Sequence, residues 1–122
     1  MTLKELIDEY KTLPNICLQI DYSDKKSVSA NNKAVDRMYQ IVSILHLEFH
    51  QEGLEAFQKL LDINENEINI WAATHLLEKL NPDKINEDKA LKIIEKIVLG
   101  SSIEARGYSY WIKAWKTKNN KA

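Results

Sequence analysis

Apolar residues recur at three- and four-residue steps along most of the chain, which is the spacing of one face of an α-helix. Shorter stripes of this kind cover residues 54–61, 87–99 and the stretch after residue 103. Glycine and proline, which strand-rich folds need at frequent turns, number only three and two. The pattern therefore predicts an all-α fold of five to six helices. The longest stripe, within a predicted helix over residues 29–50, contains Val35, Met38, Tyr39, Val42, Leu45 and Phe49.

The segment from Ile68 to Leu80 differs from these stripes because it is apolar around most of its circumference. A helix that is apolar on several sides must be covered on several sides. We therefore predict that this segment is the central helix of the fold, with Trp71 in its interior. Asn81 and Pro82 are expected to end it, since proline cannot continue a helix.

Polar residues and prolines predict where the helices begin and end. Pro14 predicts a break or kink in the first helix, because the residue before a proline is disfavoured in helical geometry. Within residues 15–29, Ile16, Leu18 and Ile20 alternate as a strand would, but a helical continuation after Pro14 fits equally well. No second stretch offers a partner strand, so we interpret residues 15–29 as helix or loop. Gly53 is expected near the end of the long helix. Three pairs have the spacing of a capping box: Thr2 and Glu5, Asn64 and Glu67, and Ser101 and Glu104.

A chain of 122 residues has the length of one domain. We divide it into an N-terminal helix and irregular segment over residues 1–29, core hairpins over residues 30–117 and a tail over residues 118–122. Short turns place consecutive helices antiparallel, and helical hairpins stacked side by side form a short α-solenoid. The hairpins over residues 52–80 and 87–117 would be successive units.

The stretch from Asn69 to Leu77, NIWAATHLL, resembles a bacterial family known as domain of unknown function number two thousand and nineteen. Members of that family resemble HEAT-like helical repeats, so the resemblance implies a helical-repeat fold and transfers no mechanism. Two departures stand out: residues 84–89 look like a longer connection than usual, and Asn69 and Ile70 stand where a charged residue often occurs. The resemblance covers residues 30–116, through residues 32–39, 53–56, 60–62 and 90–97 and Trp115.

Charge changes this picture only near the C-terminus. The net charge of −1 gives no overall attraction to nucleic acid or acidic lipid. Residues 101–122, however, contain five Lys or Arg against Glu104, an excess of four, which leaves −5 on residues 1–100. A basic helix end that complements the helix dipole explains this excess, with nucleic-acid binding as the alternative. One cysteine, no signal-peptide core and no long apolar run predict a cytoplasmic protein.

Few residues offer catalytic chemistry. His46 and His50 have the spacing of a metal-binding pair on a helix, but Leu47 holds the position where a metalloprotease needs Glu, and no third ligand is apparent. We interpret them as exposed polar residues, with a metal-dependent enzyme as the alternative. His75 is expected to be a hydrogen-bonded core histidine and Cys17 an inert thiol. We expect no enzyme activity and no cofactor.

The leading hypothesis is a non-catalytic protein-interaction module of a bacterial cytoplasmic protein, in one version an immunity protein that binds a toxin. Helical-repeat units present a rigid face and need no chemistry of their own. Nucleic-acid binding through the basic C-terminal helix and a metal-dependent enzyme are the alternatives. The candidate partner-binding residues lie at the polar start of the long helix and on the last helix: Asn32, Lys33, Asp36 and Arg37, and Arg106, Tyr110 and Lys113.

Overall fold

A computed structural model of the chain describes residues 1–100 and 102–119 and contains no strand in these ranges. The prediction of an all-α fold is confirmed. A π-helical turn, Leu45–Phe49, joins the second α-helix to the third, and 3₁₀ segments at Lys59–Asp62 and Glu65–Glu67 precede the fourth. The α-helices of the described residues are α1 (Leu3–Leu18), α2 (Lys25–Ile44), α3 (His50–Gln58), α4 (Ile68–Lys79), α5 (Lys84–Val98) and α6 (Ile103–Lys118).

The first helix begins as predicted but does not break at Pro14. The Thr2 hydroxyl accepts a hydrogen bond from the backbone N–H of Glu5 at 3.1 Å, and the Thr2 N–H donates to the Glu5 carboxylate at 2.8 Å. Helix α1 then continues through Pro14 to Leu18. Proline removes one backbone hydrogen bond inside a helix. Pro14 is fully buried, and burial of its ring offsets that loss.

The second helix starts earlier than the sequence pattern indicated. Helix α2 begins at Lys25, so the predicted boundary at residue 29 falls inside it. Asp24 caps it, because its carboxylate accepts a hydrogen bond from the Lys26 N–H at 3.0 Å. The first two turns of α2 have few apolar residues and so leave no hydrophobic stripe. The irregular stretch is therefore limited to the short connection between α1 and α2.

A close backbone approach follows the π-helical turn. His50 has a φ of 49°, which interrupts the regular helix, and α3 then packs back against the turn. A Cβ atom placed on Gly53 would lie 2.6 Å from the carbonyl oxygen of Leu45, so the side chain of any other residue would clash. Gly53 follows soon after the end of the long helix, as expected, and lies within α3.

The start of α4 also differs from the prediction. No side chain caps it, and Asn66 and Glu67 have left-handed φ values of 53° and 60°. The side chain of Asn69 donates a hydrogen bond to the Asn64 side-chain oxygen at 3.2 Å, and this contact uses the oxygen expected to cap the helix. The predicted capping box of Asn64 and Glu67 is therefore wrong.

Helix α4 lies at the centre of the molecule, as predicted. The six consecutive residues from Ala72 to Leu77 are buried, and α4 contacts α1, α2, α3 and α5. Trp111 and Trp115 of α6 donate hydrogen bonds to its C-terminal end. Trp71 is only half-buried, because the first turn of α4 reaches the surface. The fold therefore places one end of α4 beside a surface groove.

Helices α5 and α6 complete the described part of the chain. Asp83 caps α5, so residues 84–89, expected as a long connection, are helical. The Ser102 hydroxyl caps α6, whereas Ser101 and residues 120–122 of the predicted tail lie outside the described residues. Gly107 lies inside α6, and open space surrounds the position of its missing Cβ, so it supports no close helix contact. The HEAT-like solenoid stays a prediction.

Candidate functional site

His75 lies in the interior of the molecule and is held by one hydrogen bond. Its Nδ1 atom and the Tyr10 hydroxyl lie 2.7 Å apart, with the donor set by the ring tautomer. Its Nε2 atom has no hydrogen-bond partner among the described residues. Burial, and then the charge of nearby Lys79, lower the pKa of His75 to about 4. The ring is therefore neutral at pH 7, and the prediction of a hydrogen-bonded core histidine is confirmed.

Aromatic rings enclose His75 and keep it from contact with any bound molecule. The ring centroids of Tyr39, Trp71 and Tyr10 lie 4.6, 5.8 and 5.9 Å from that of His75. Phe57 packs against Tyr10 with a centroid distance of 5.0 Å. No surface of His75 is exposed. A general base must come within hydrogen-bond distance of its substrate, so the contacts of His75 indicate a structural role.

One turn further along α4, Glu78 joins three helices. Its carboxylate accepts hydrogen bonds from the Tyr39 hydroxyl at 3.0 Å and from the Trp111 indole N–H at 2.7 Å. Burial, followed by the contact with Glu78, raises the pKa of Tyr39 to about 12. The indole N–H of Trp115 donates to the carbonyl oxygen of Leu77 at 2.9 Å. The C-terminal end of α4 is thus a satisfied polar contact among α2, α4 and α6.

A groove of about 420 Å³, here called the acidic–aromatic groove, lies beside the other end of α4. Glu67 and Trp71 are four residues apart at the start of α4, and Glu104 and Tyr108 are four apart at the start of α6. Glu104 and Tyr108 share a face of α6 at this spacing, and Glu67, which precedes α4, lines the same groove as Trp71. The groove is lined by Cys17, Leu18, Ile20, Tyr22, Asn31, Glu67, Ile70, Trp71, Ile97, Glu104 and Tyr108.

Within the described ranges, no cationic side chain lines the groove beside its two carboxylates. Partial burial, and then the negative charge of Glu104, raise the pKa of Glu67 above its ordinary value. Burial likewise raises the pKa of Tyr108. The lining of the groove contains no Lys, Arg or His. The acidic–aromatic groove therefore combines an apolar wall with uncompensated negative charge.

A second groove, about 570 Å³ in volume and here called the basic groove, separates α5 from α6. Val98, Leu99 and Ile112 supply its apolar surface. Lys116 lies 3.3 Å from the Glu95 carboxylate, but no carboxylate of the described residues pairs with the other three lysines of the rim. These lysines are Lys92, Lys96 and Lys113.

A cavity of about 490 Å³ lies on the opposite side of α5. Lys92 and Lys96 line this cavity as well as the basic groove, so they lie on α5 between the two. Lys89 at its edge pairs with Asp62. The outer side of α5 therefore presents lysines with apolar surface on both sides. The apolar residues that line this cavity of about 490 Å³ are Leu61, Ile70, Ile93 and Ile97.

The predicted partner-binding residues of α6 lie together on its exposed face. Arg106, Tyr110 and Lys113 are all exposed, and Tyr110 has 70% of its surface accessible. Ile103, which is 89% exposed, precedes them at the spacing of the same helix face. Lys113 also belongs to the rim of the basic groove. Through Lys113, this predicted group of residues borders the basic groove.

The predicted group on α2 is less uniform. Asn32, Lys33 and Asp36 are exposed, but Arg37 is half-buried against α1. Its guanidinium donates two hydrogen bonds to the Glu9 carboxylate, at 2.6 and 2.8 Å. Arg37 therefore ties α2 to α1. None of the four residues lines the three cavities described above.

The histidine pair and the cysteine offer little chemistry. His46 and His50 are both exposed, and the π-helical turn between them interrupts the regular helix that a metal-binding pair would use. No three His, Cys, Asp or Glu side chains within residues 1–100 and 102–119 are grouped so that they could hold a metal ion. Cys17 is half-buried, and burial raises the pKa of its thiol.

Apart from Lys113, no lining residue of either groove was assigned to a binding site from the sequence. Lys89, Lys92 and Lys96 recur at helical spacing, which predicts a basic stripe on one helix. The two pairs of glutamate and aromatic residue also have a readable spacing. The local pattern does not show that the starts of α4 and α6 lie side by side. It also does not show that the lysines of α5 lie beside apolar surface.

The sequence matches no family model, and no curated protein or solved structure matches the chain. The resemblance to the family of unknown function therefore stays a prediction, and no residue role is carried over from a relative. No helix in the described part of the chain is both long and apolar enough to cross a membrane. Support for a function comes from the two grooves and the outer face of α6.

Proposed function

We propose that this protein is a non-catalytic interaction module that binds an acidic segment of a protein partner through α5 and α6. The observation that carries the proposal is the basic groove, where apolar residues lie below three lysines that pair with no carboxylate of residues 1–100 and 102–119. Apolar contact excludes water, while the charges of a rim select a partner of opposite sign. Helix α5 packs against α4, and Trp111 and Trp115 of α6 donate hydrogen bonds to the end of α4, so both helices are held in place in the free protein.

Exposed apolar side chains extend this surface beyond the groove. Ile103 and Tyr110 of α6 have 89% and 70% of their surface accessible, and Leu99, which follows α5 and lines the groove, has 87%. Contiguous exposed apolar residues with a polar rim are typical of protein-binding surfaces. Tyrosine and arginine are enriched among the residues that contribute most to binding. The predicted residues Arg106, Tyr110 and Lys113 therefore form part of the proposed surface.

The shape and charge of the surface favour an amphipathic segment with an acidic side. Its carboxylates would meet Lys92, Lys96 and Lys113, and its apolar side would lie against Val98 and Leu99. Recognition of an amphipathic helix in an apolar groove is a recurrent binding mode. A nucleic-acid backbone would use the lysines but gain little from the apolar residues between them. The apolar surface is the reason to prefer a protein partner.

The narrower predictions follow from the same proposal. An immunity protein that masks a toxin would need a rigid surface of this kind and no chemistry of its own. The toxin as partner, the bacterial origin and the cytoplasmic location stay predictions. The three candidate residues Asn32, Lys33 and Asp36 on α2 stay predictions as well, as a second contact region.

A charge-reversal capture experiment tests the proposal. Tagged wild-type protein and the variant K96E/K113E are incubated with lysate of the source cells, and captured proteins are identified by mass spectrometry. We expect one abundant partner with an acidic segment, reduced about tenfold or more by the variant, because two attractive contacts become repulsive. The Y110A variant should also reduce capture while its melting temperature stays unchanged, because Tyr110 is exposed.

The matched control is K25E/K26E, which reverses two exposed lysines at the start of α2. This control should capture the partner as wild type does. Equal capture by K96E/K113E and wild type would overturn the proposal. So would a captured species that nuclease removes and whose affinity falls steeply with salt, since that behaviour is typical of phosphate-backbone binding.

A further inference from the structure

We propose that the acidic–aromatic groove binds an arginine side chain of a polypeptide partner. The inference is independent of the basic groove, because no residue lines both. It rests on three features: the paired carboxylates and aromatic rings, the lack of any cation in the lining, and exposed apolar residues at the edge of the groove.

The groove contains the groups that recognise a guanidinium. Glu67 and Trp71 come from the start of α4, and Glu104 and Tyr108 come from the start of α6. A guanidinium is planar, stacks on aromatic rings and donates hydrogen bonds in a fixed fork to carboxylates. Its attraction to aromatic rings increases when the contact is shielded from water. Carboxylates and rings from two helices therefore suit arginine better than the compact ammonium of lysine.

The electrostatics of the groove favour a cation. Both glutamates lie at helix starts, where the helix dipole stabilises negative charge. Burial, and then the charge of Glu104, raise the pKa of Glu67. A bound cation would lower the pKa of Glu67, because an opposite charge nearby favours the ionised form of a carboxylate.

The chain itself shows how such a carboxylate is satisfied. Glu9 of α1 is also partly buried, and the guanidinium of Arg37 binds it through two hydrogen bonds of 2.6 and 2.8 Å. In that pair the guanidinium lowers the pKa of Glu9. Glu67 lacks a corresponding residue among the groove's lining. The proposed arginine of the partner would supply it.

The edge of the groove indicates a polypeptide rather than a free cation. Its volume of about 420 Å³ lies within the usual range of about 300–1,000 Å³ for ligand sites. Tyr22 and Leu18 line it and have 84% and 47% of their surface accessible. These apolar residues offer contact to the backbone and neighbouring side chains of a bound segment, which a free cation lacks.

Fluorine NMR of the full chain provides the test. Growth on 5-fluorotryptophan gives one resonance for each of Trp71, Trp111 and Trp115, and the variant W71F assigns the first. The probe is a blocked pentapeptide with a central arginine between two leucines, and its control carries citrulline, the uncharged analogue of arginine. We expect the arginine peptide to shift the Trp71 resonance saturably, at least about tenfold more tightly than the citrulline peptide.

Two variants make the result specific. The variant E67Q/E104Q should weaken binding of the arginine peptide about tenfold or more, whereas E48Q/E52Q, which removes two exposed carboxylates outside the groove, should not. Melting temperatures of both variants check that they fold. Binding of the arginine peptide should also slow the alkylation of Cys17, which lines the groove and is the chain's one cysteine.

Three outcomes would overturn the proposal. The first is equal binding of the arginine and citrulline peptides, or no saturable shift of Trp71. The second is equal binding of blocked free arginine and the peptide, which would assign the groove to a small organic cation. The third is a concentration-dependent dimer that E67Q/E104Q abolishes, because a second copy of the chain would then fill the groove.

Discussion

The two ends of α4 each hold a glutamate beside tryptophan and tyrosine, yet their surroundings differ. At the C-terminal end, the Glu78 carboxylate accepts hydrogen bonds from Tyr39 at 3.0 Å and from Trp111 at 2.7 Å. At the N-terminal end, the Glu67 carboxylate faces the second carboxylate of Glu104, and no described residue donates a hydrogen bond to either. The glutamate carboxylate has hydrogen-bond donors at the C-terminal end of α4 and none among the described residues at the N-terminal end.

The two glutamates differ in whether the chain itself supplies their hydrogen-bond donors. Glu78 has its donors within the chain, so its contacts hold helices together and leave nothing for a ligand. Glu67 is partly buried without a donor, which is unfavourable for the free protein. The satisfied end of α4 therefore explains stability, and the unsatisfied end points to recognition.

The largest effect is expected from acid, which acts on His75, one turn before Glu78 in α4. Its folded-state pKa of about 4 lies below the unfolded value of 6.5, so the unfolded chain binds a proton that the folded chain excludes. The stabilisation is complete above pH 6.5 and is lost as the pH falls towards 4. We expect His75 to contribute about 3 kcal/mol to this loss of unfolding free energy.

NMR titration of the histidine rings measures this effect directly. The His75 ring should remain neutral until the pH approaches 4, and urea unfolding should become easier over the same range. The variant H75Q should lose this component of the pH dependence. A His75 midpoint near 6.5 would show that water reaches the ring and would remove the explanation.

The substitution E78Q is expected to have the next largest effect. Glutamine keeps the shape of glutamate, but its amide has one acceptor oxygen where the carboxylate has two oxygens that share a negative charge. The contacts with Tyr39 and Trp111 therefore lose their charge assistance, and one donor loses its partner. We expect destabilisation of about 1.5 kcal/mol, at the lower end for charged hydrogen bonds because Glu78 is only half-buried. Urea unfolding checks this, with E52Q on the exposed side of α3 as the control.

If E78Q and E52Q unfold at the same urea concentration, the contacts of Glu78 add nothing measurable and the comparison between the two ends fails. The variants W111F and Y39F then distinguish the two donors. Each should lower stability by less than E78Q does if both donors contribute. Phenylalanine at residue 111 also removes ring surface, so Y39F is the cleaner of the two.

Much of the fold follows from local pattern, because helical periodicity and burial act over a few residues. The all-apolar segment around Ala72 predicted a central helix, and the capping box at Thr2 predicted the start of α1; both are confirmed. Pro14 misled the prediction because burial in the tertiary structure overrode a local preference. The left-handed backbone at Asn66 and Glu67 likewise depends on contacts around the turn.

The candidate site was less predictable, because it depends on which helices become neighbours. Arg106, Tyr110 and Lys113 could be found from their spacing and exposure on one helix. Arg37 was assigned to a binding patch because the sequence does not show that Glu9 lies next to it. The acidic–aromatic groove needs the starts of two helices, 37 residues apart at Glu67 and Glu104, to meet. Periodicity within one helix cannot supply that information.

The substitution E67Q should have the smallest effect and the opposite sign to E78Q. Removing one of two facing carboxylates relieves their repulsion, so we expect stabilisation by a few tenths of a kcal/mol, the usual size for partly solvated charges, and a melting temperature about 1 °C higher. The variant E104Q should do the same, and the double variant should gain little more, because either change removes the same repulsion. Added salt should shrink the gain by screening. Additive gains that are insensitive to salt would mean that the two carboxylates do not interact, and the contrast between the two ends of α4 would then lose its electrostatic basis.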